Sequence, residues 1–334
     1  MVVLVQGRYF LIPLAIAVLL FSLTSAAVDR LTRLRLGPIA LPNWLASLIS
    51  ILLVLAAMLV VLRILADQIE AVIDAGPLYI ERGQQLVATM AAWLGDDAAA
   101  GIRQAFEAVD FGAYIRAFAG SAGYALSAAV LIVLYIGFLF AERARFHEKL
   151  ARLQPDPARA DNLLRMFRSI TRSVHRYILV KSAVSVITGL VVYLVMRAFG
   201  LQFAETWALL TMLLNFIPNI GSIIATAIPT LVALVQFESW TLVVLLFATI
   251  GLIQFAVGNI LEPNLMGRSL NLSPFVIILS LTFWGAVWGI IGMFLAVPIM
   301  VMLLIVCAHV PSLHPVAVLL SRDGVPLPDE EHKG

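Results

Sequence analysis

"LLNFIPNIGSIIATAIP" occupies residues 213–229. It sits inside Thr206–Phe237, a run of 32 residues without one charge, yet it carries two asparagines, two prolines and a glycine. Pro218 removes a backbone donor and disfavours helix at Ile217. Asn219 and Gly221 tolerate turn geometry. The pattern therefore predicts two half-helices, 206–216 and 222–236, joined at Pro218–Ser222. Each is about 17–22 Å long at 1.5 Å per residue, short of a bilayer core of about 30 Å. In lipid, a broken helix survives only where protein or water satisfies its backbone. The run reads as a hairpin with its tip at mid-membrane, or as an ordinary helix pair with a tight turn.

The rest of the chain sets that hairpin in a membrane. Of 334 residues, 62% are hydrophobic and 13% charged, well on the lipid side of soluble averages. Charge-free runs cover Tyr9–Ala27, Trp44–Leu62, Ala117–Ala141 and Ser239–Leu261, and Tyr177–Met196 holds only Lys181. From Ser269 to Ser321 there is no Arg, Lys, Asp or Glu. The expected fold is an all-α integral membrane protein of about 6–8 membrane segments, two of them broken or re-entrant hairpins. Ser25-Ala26-Ala27 faintly resembles a leader cleavage site, but the run is long and further spans follow.

Charge asymmetry orients the spans. Glu142–Arg176 holds nine Lys/Arg against four acids, and Arg63–Arg116 four Arg against eight acids. Residues 142–176 and 29–43 are thus expected on the cytoplasmic side and 64–116 outside. This puts the N-terminus outside, which an additional upstream span would explain, and the C-terminus in the cytoplasm. In 155–178, Leu163, Leu164, Phe167, Ile170, Val174 and Ile178 recur at helical spacing beside Arg165, Arg168, Arg172 and Arg176. That predicts an amphipathic helix lying on the inner membrane face, with Asp161 as its cap. The outer segment 67–116 also reads as helix, broken at Gly76-Pro77 and Gly95-Asp96.

Enzyme chemistry finds no foothold. There is no G-x-S-x-G, Walker A or H-E-x-x-H pattern. The five histidines are not at ligand spacing, and the single Cys307 reads as a small buried hydrophobe. No cofactor, metal or nucleic-acid partner is expected, and the partners expected are lipid and a small polar solute.

A second apolar run, Pro274–Ala308, is broken around Trp284–Gly292, with Gly285, Gly289 and Gly292 in the break. Each run carries a proline past its tip, Pro229 and Pro298. A span (177–197) with hairpin 206–236, then a span (240–261) with hairpin 274–308, would form an inverted repeat. The organisation expected is 1–66, a two-span hairpin; 67–118, an outer helical segment; and 119–176, a third span with the basic helix. A transport core, 177–308, and a cytoplasmic tail, 309–334, follow.

Polar groups at depth mark the candidate pathway: Lys181, Asn215, Asn219, Gln254, Asn259 and Glu262. Gln254, Asn259 and Glu262 read as a row near the inner end of their span, and Glu262 is a natural partner for Lys181 or Arg268. Lys181 snorkels to the interface or faces a pathway, and Glu262-Pro263 alternatively ends a helix in water. Ser182, Ser185, Thr188 and Gly189 suit close helix packing.

"RYILVKSAVSVITGLVVY" (176–193), the opening stretch, and "GNILEPNLMGRSLNLSPFVIILSLTFWGAVWGIIGMFLAVP" (258–298) resemble the autoinducer-2 exporter family of bacterial inner-membrane proteins. The resemblance covers roughly 9–322 and is specific over 176–300. The family's Pro-x-x-Gly motif falls on Pro218 and Gly221, and its Glu-Pro-x-x-x-Gly motif on Glu262, Pro263 and Gly267. Asn264 departs from the family's usual Arg, and "YFLIPLAIAVLLFSLTSAAVDRL" (9–31) resembles the family's second span. The resemblance implies secondary export of autoinducer-2, a quorum-sensing signal, or a related metabolite. It also implies, as the less favoured alternative, Na⁺(Li⁺)/H⁺ antiport, since acids within the spans are few, and assembly as a homo-oligomer such as a pentamer. The remaining alternative is a membrane scaffold that transports nothing.

Overall fold

The computed structural model describes residues 2–33, 45–56, 58–60, 63–64, 79, 81–85, 127–143, 149, 157–266 and 271–325. Gly267, Arg268, most of 67–116 and the loop beyond residue 33 lie outside the described residues. The helices are α1 (Val2–Gln6), α2 (Arg8–Arg33), α3 (Leu45–Val60), α4 (127–143) and α5 (Pro157–Ala198). Then come α6 (Ala204–Leu214), α7 (Ile220–Gln236), α8 (Trp240–Ala256), a π turn at Val257–Leu261, and α9 (Glu262–Met266). α10 (Pro274–His309) and α11 (His314–Leu320) complete the order. Among the described residues, four helical stretches are long and apolar enough to cross a membrane: Arg8–Ser25, Asp161–Ala198, Trp240–Met266 and Pro274–His309. The shorter apolar helices include α3, α6 and α7. The chain is a multi-pass, all-helical membrane protein.

The chain forms two compact units. The first comprises Met1–Ala57, Ala128–Ala183 and Glu262–Gly334. Its core is built from Leu19, Val174, Ile178, Leu295, Val301 and Ile305, among others. The α10 label conceals a reversal. Gly289 has φ 65°, ψ −145°, open to glycine alone, and it separates the arms Pro274–Trp288 and Ile290–His309. The Ser280 hydroxyl donates to the Ala296 carbonyl at 3.2 Å. Sixteen residues of straight helix would hold those groups about 24 Å apart. α10 is therefore an antiparallel helical hairpin, and its pivot, Gly289, lies inside the expected Trp284–Gly292 break. Gly292 does a different job: a Cβ there would lie 1.9 Å from the Trp284 carbonyl oxygen. Glycine lets the second arm rest directly on the backbone of the first. The Trp288 indole donates to the Leu4 carbonyl at 2.9 Å, fastening the tip to α1.

The basic helix differs from expectation. It starts at Pro157, so Asp161 is not its cap; proline suits the first helical position because its missing N–H needs no partner there. It then runs unbroken for 42 residues to Ala198. No helix breaker lies between Pro157 and Gly189, so nothing ends it at the membrane surface. Of its apolar stripe, Val174 and Ile178 are buried in the core of the first unit and Ile170 packs against them.

The second unit comprises Met58–Ser127 and Val184–Leu261. Its core includes Val192, Met196, Ala208, Ala233, Leu246 and Ile250. Here α6 and α7 form the hairpin announced by residues 213–229. The turn is displaced two residues from the expected boundaries, to 215–219, with Asn219 (φ 61°) as its pivot. Gly221 is already helical. A Cβ on it would lie 1.8 Å from the Leu214 carbonyl oxygen, so glycine is needed for approach and not for the turn. The base is fastened by Gln236, whose Nε2 donates to the Gly200 carbonyl and whose Oε1 accepts from the Gln202 N–H, both at 2.8 Å. α8 packs antiparallel on α7, with Gly251 facing Thr226.

Candidate functional site

In the first unit, α5 carries a buried stripe that includes Tyr177, Ile178 and Lys181. Lys181 is 1% exposed. A buried ammonium needs a counter-charge, and it has one: Nζ lies 2.5 Å from Glu262 Oε1. Glu262 is the less enclosed partner, its side chain 20% exposed. Tyr177, one turn before Lys181, is also buried, and its hydroxyl has no hydrogen-bond partner among the described residues. Two charges and an uncommitted phenol thus stand on one helix face and the end of a second helix.

Glu262 reaches that place through a helix irregularity. Pro263 cannot donate to the carbonyl four residues back, and its ring would strike it. The π turn at Val257–Leu261 immediately before it relieves the conflict with one extra residue. Asn259 does not continue a row from Gln254: it is exposed, and its Nδ2 donates to the Phe255 carbonyl of its own helix at 3.0 Å.

The second unit holds an uncharged polar cluster. Asn215, 4% exposed, closes α6 and donates through Nδ2 to the Ser185 hydroxyl at 3.1 Å. Thr188 is fully buried and donates to the Val184 carbonyl. Thr211, one turn before Asn215, is fully buried with no partner for its hydroxyl among the described residues. Gln254 is 5% exposed, and neither amide atom has a partner among them. Since Gly251 faces Thr226 across antiparallel helices, Gln254 one turn further falls level with the first turn of α7, at the hairpin tip. Asn219 is exposed there and makes no side-chain cap. The N–H groups of Ile220, Gly221 and Ile223 are already bonded to the carbonyls of Pro218, Ile217 and Asn219, so this helix start offers little to an anion. Amides and hydroxyls suit a neutral polar solute.

The structure thus joins Lys181 to Glu262, and Asn215 to Ser185. It places Pro218 and Gly221 at the first hairpin tip and Gly285, Gly289 and Gly292 at the second, while Pro263 follows the π turn. Gly267 lies outside the described residues. Tyr177 and Thr211 were not singled out by sequence, although Tyr177 stands four residues before Lys181 and Thr211 four before Asn215. Ser185 was read only as a packing residue. Among the described residues no group of three or more His, Cys, Asp or Glu side chains could hold a metal.

Comparison with known proteins places the chain among bacterial transport proteins. The chain is 38% identical over 197 residues to the AI-2 transport protein TqsA of Escherichia coli K12, covering 59% of this chain and 56% of that protein. It is 33% identical over 218 residues to a "Putative transport protein" of Borreliella burgdorferi, covering 64% and 60%. It is also 33% identical over 175 residues to the "Putative transport protein YhhT" of Escherichia coli K12, covering 52% and 49%. The chain spans about half the length of the curated relatives it matches. The family model for the AI-2E family transporters matches residues 1–312, and the chain belongs to that family.

Proposed function

We propose that this protein is a secondary transporter of the bacterial inner membrane, exporting a small, uncharged polar molecule of which autoinducer-2 is the type. The observation that carries the reading is Gln254, a buried amide with both atoms unpartnered beside a broken hairpin. A buried amide without partners costs about 1–3 kcal/mol, which a solute or its water would offset. Half-helices meeting at a polar tip are a recurrent way to bind cargo within a bilayer. In this reading both hairpins are re-entrant and repeat one design with inverted topology. Their shared feature supports it: each places a glycine, Gly221 or Gly292, on the last-turn carbonyl of its own first arm. Asn215, Asn219 and Gln254 then meet the cargo, and the family's homo-oligomeric assembly with a cytoplasmic C-terminus completes the proposal.

The test is purified protein in liposomes, assayed side by side for autoinducer-2 uptake and Na⁺/H⁺ exchange. Uptake that falls at least tenfold in Gln254→Leu, with the protein still folded, is expected. Normal uptake in that variant refutes the assignment. A second reading, cation/proton antiport, is favoured by the buried Lys181–Glu262 pair. It requires pH-dependent Na⁺ flux that disappears in Glu262→Gln; unchanged flux in that variant removes it.

A further inference from the structure

The second unit has a groove that the proposed transport pathway does not use. It lies between α5 and α6, with a volume of about 410 Å³. Val186, Leu190, Leu209 and Met212 line it, and at one end Tyr193 and Glu205 supply the polar atoms. Its floor depends on Gly189, where a Cβ would come within 3.0 Å of Met212 Cβ and 3.2 Å of the Ala208 carbonyl. At the polar end the Tyr193 hydroxyl donates to Glu205 Oε1 at 3.3 Å. Arg197 Nη1 stands 3.9 Å from the same oxygen. Both charged side chains stay open to the outside, 63% exposed for Arg197 and 43% for Glu205. They therefore retain capacity for further partners.

We infer that this groove binds a phospholipid with a zwitterionic, primary-ammonium head group, one acyl chain lying against Leu190 and Leu209. The position fits. The apolar run of α5 ends at Arg197, so the Arg197–Glu205 end stands at head-group level while the groove runs towards the hydrocarbon. An acyl chain is already out of water in the bilayer, so filling the groove gains packing contact and no hydrophobic burial. Selectivity must then come from the head. A carboxylate and a guanidinium side by side complement an ammonium and a phosphate on one molecule. A phosphatidylethanolamine head satisfies both, its N–H groups donating to Glu205 and its phosphate accepting from Arg197. A choline head keeps the charge but has no N–H to donate, and a glycerol head lacks the cation.

The test is native mass spectrometry of the full chain released from equimolar phosphatidylethanolamine, phosphatidylcholine and phosphatidylglycerol. The wild type is expected to retain the ethanolamine lipid over the other two by about tenfold, the scale of one charge-assisted hydrogen bond. Glu205→Gln should reduce that preference to near parity, and Leu190→Trp, which fills the groove, should lower retention of all three. Equal retention of the three lipids by the wild type overturns the proposal without reference to any variant. So does an unchanged preference in Glu205→Gln. Efficient intermolecular disulfide formation by Leu190→Cys in membranes would also overturn it, by showing that a second copy covers the groove.

Discussion

Replacing Gly292 with alanine tests whether the hairpins are held by direct backbone contact. The added Cβ would lie 1.9 Å from the Trp284 oxygen, 2.7 Å from its carbonyl carbon and 2.9 Å from Trp288 Cβ. An ordinary carbon–oxygen contact is about 3.3–3.6 Å, so the arms must separate by roughly 1.5 Å. The obstacle is backbone, so no side chain can rotate away. Overpacking of this kind costs about 1–3 kcal/mol or more, and the loss of van der Waals contact along the arms places this site at the upper end. Alanine's better helix propensity returns about 1 kcal/mol. The net expectation is ~2 kcal/mol of destabilisation, or a fall in Tm of about 4–8 °C for a domain of 150–250 residues. The protein carries its own reporter: Cys307, its single cysteine, is 3% exposed in the same unit. A thiol-reactive dye in a thermal ramp reads its exposure. Gly137→Ala, on α4 with nothing within 4 Å of the new Cβ, is the control and should match the wild type or exceed it slightly. Equal transition temperatures for Gly292→Ala and Gly137→Ala would refute the reasoning.

Gly221→Ala should behave as Gly292→Ala does, since its Cβ would meet the Leu214 carbonyl at 1.8 Å; size-exclusion monodispersity and a thermal ramp check it. At Asn219, whose φ is 61°, glycine should be neutral or better, whereas valine should cost about 1–3 kcal/mol, read as the difference in midpoint between the two variants. Glu262→Gln strands a buried ammonium and should cost about 3–5 kcal/mol, whereas Lys181→Met combined with Glu262→Gln should recover most of that loss. A double-mutant cycle on thermal stability measures the coupling, and additive effects would show that the pair is not a unit.

Much of this was legible because breakers and charges act locally. Pro218 dictates a break wherever it falls, and the glycines near Trp284 announce the second reversal. The choice of pivot was not legible. Asn219 and Gly289 take positive φ because the arms close on each other, and that closure is tertiary. Lys181 and Glu262 lie 81 residues apart; the sequence offered Glu262 to Lys181 or to Arg268, and tertiary packing is what brings Lys181 to it. The expected row through Asn259 failed because Gln254 and Asn259 are five residues apart and helical neighbours on one face are three or four apart. The continuity of the basic helix with the following span was missed because the change in charge at Arg176 was read as a change of element. The absence of a breaker from residue 158 to residue 188 was the better guide.

The short arms also bear on how the chain is made. α6 has 11 residues, about 17 Å of helix, too little to be recognised as a span when it leaves the ribosome. In the re-entrant arrangement proposed above, it enters the lipid together with α7, as one folded object. The glycine contact between the arms is then needed during biosynthesis as well as in the finished protein. A variant that spoils it should accumulate to a lower level in the membrane, so its yield there is a readout of hairpin closure alongside the thermal ramp.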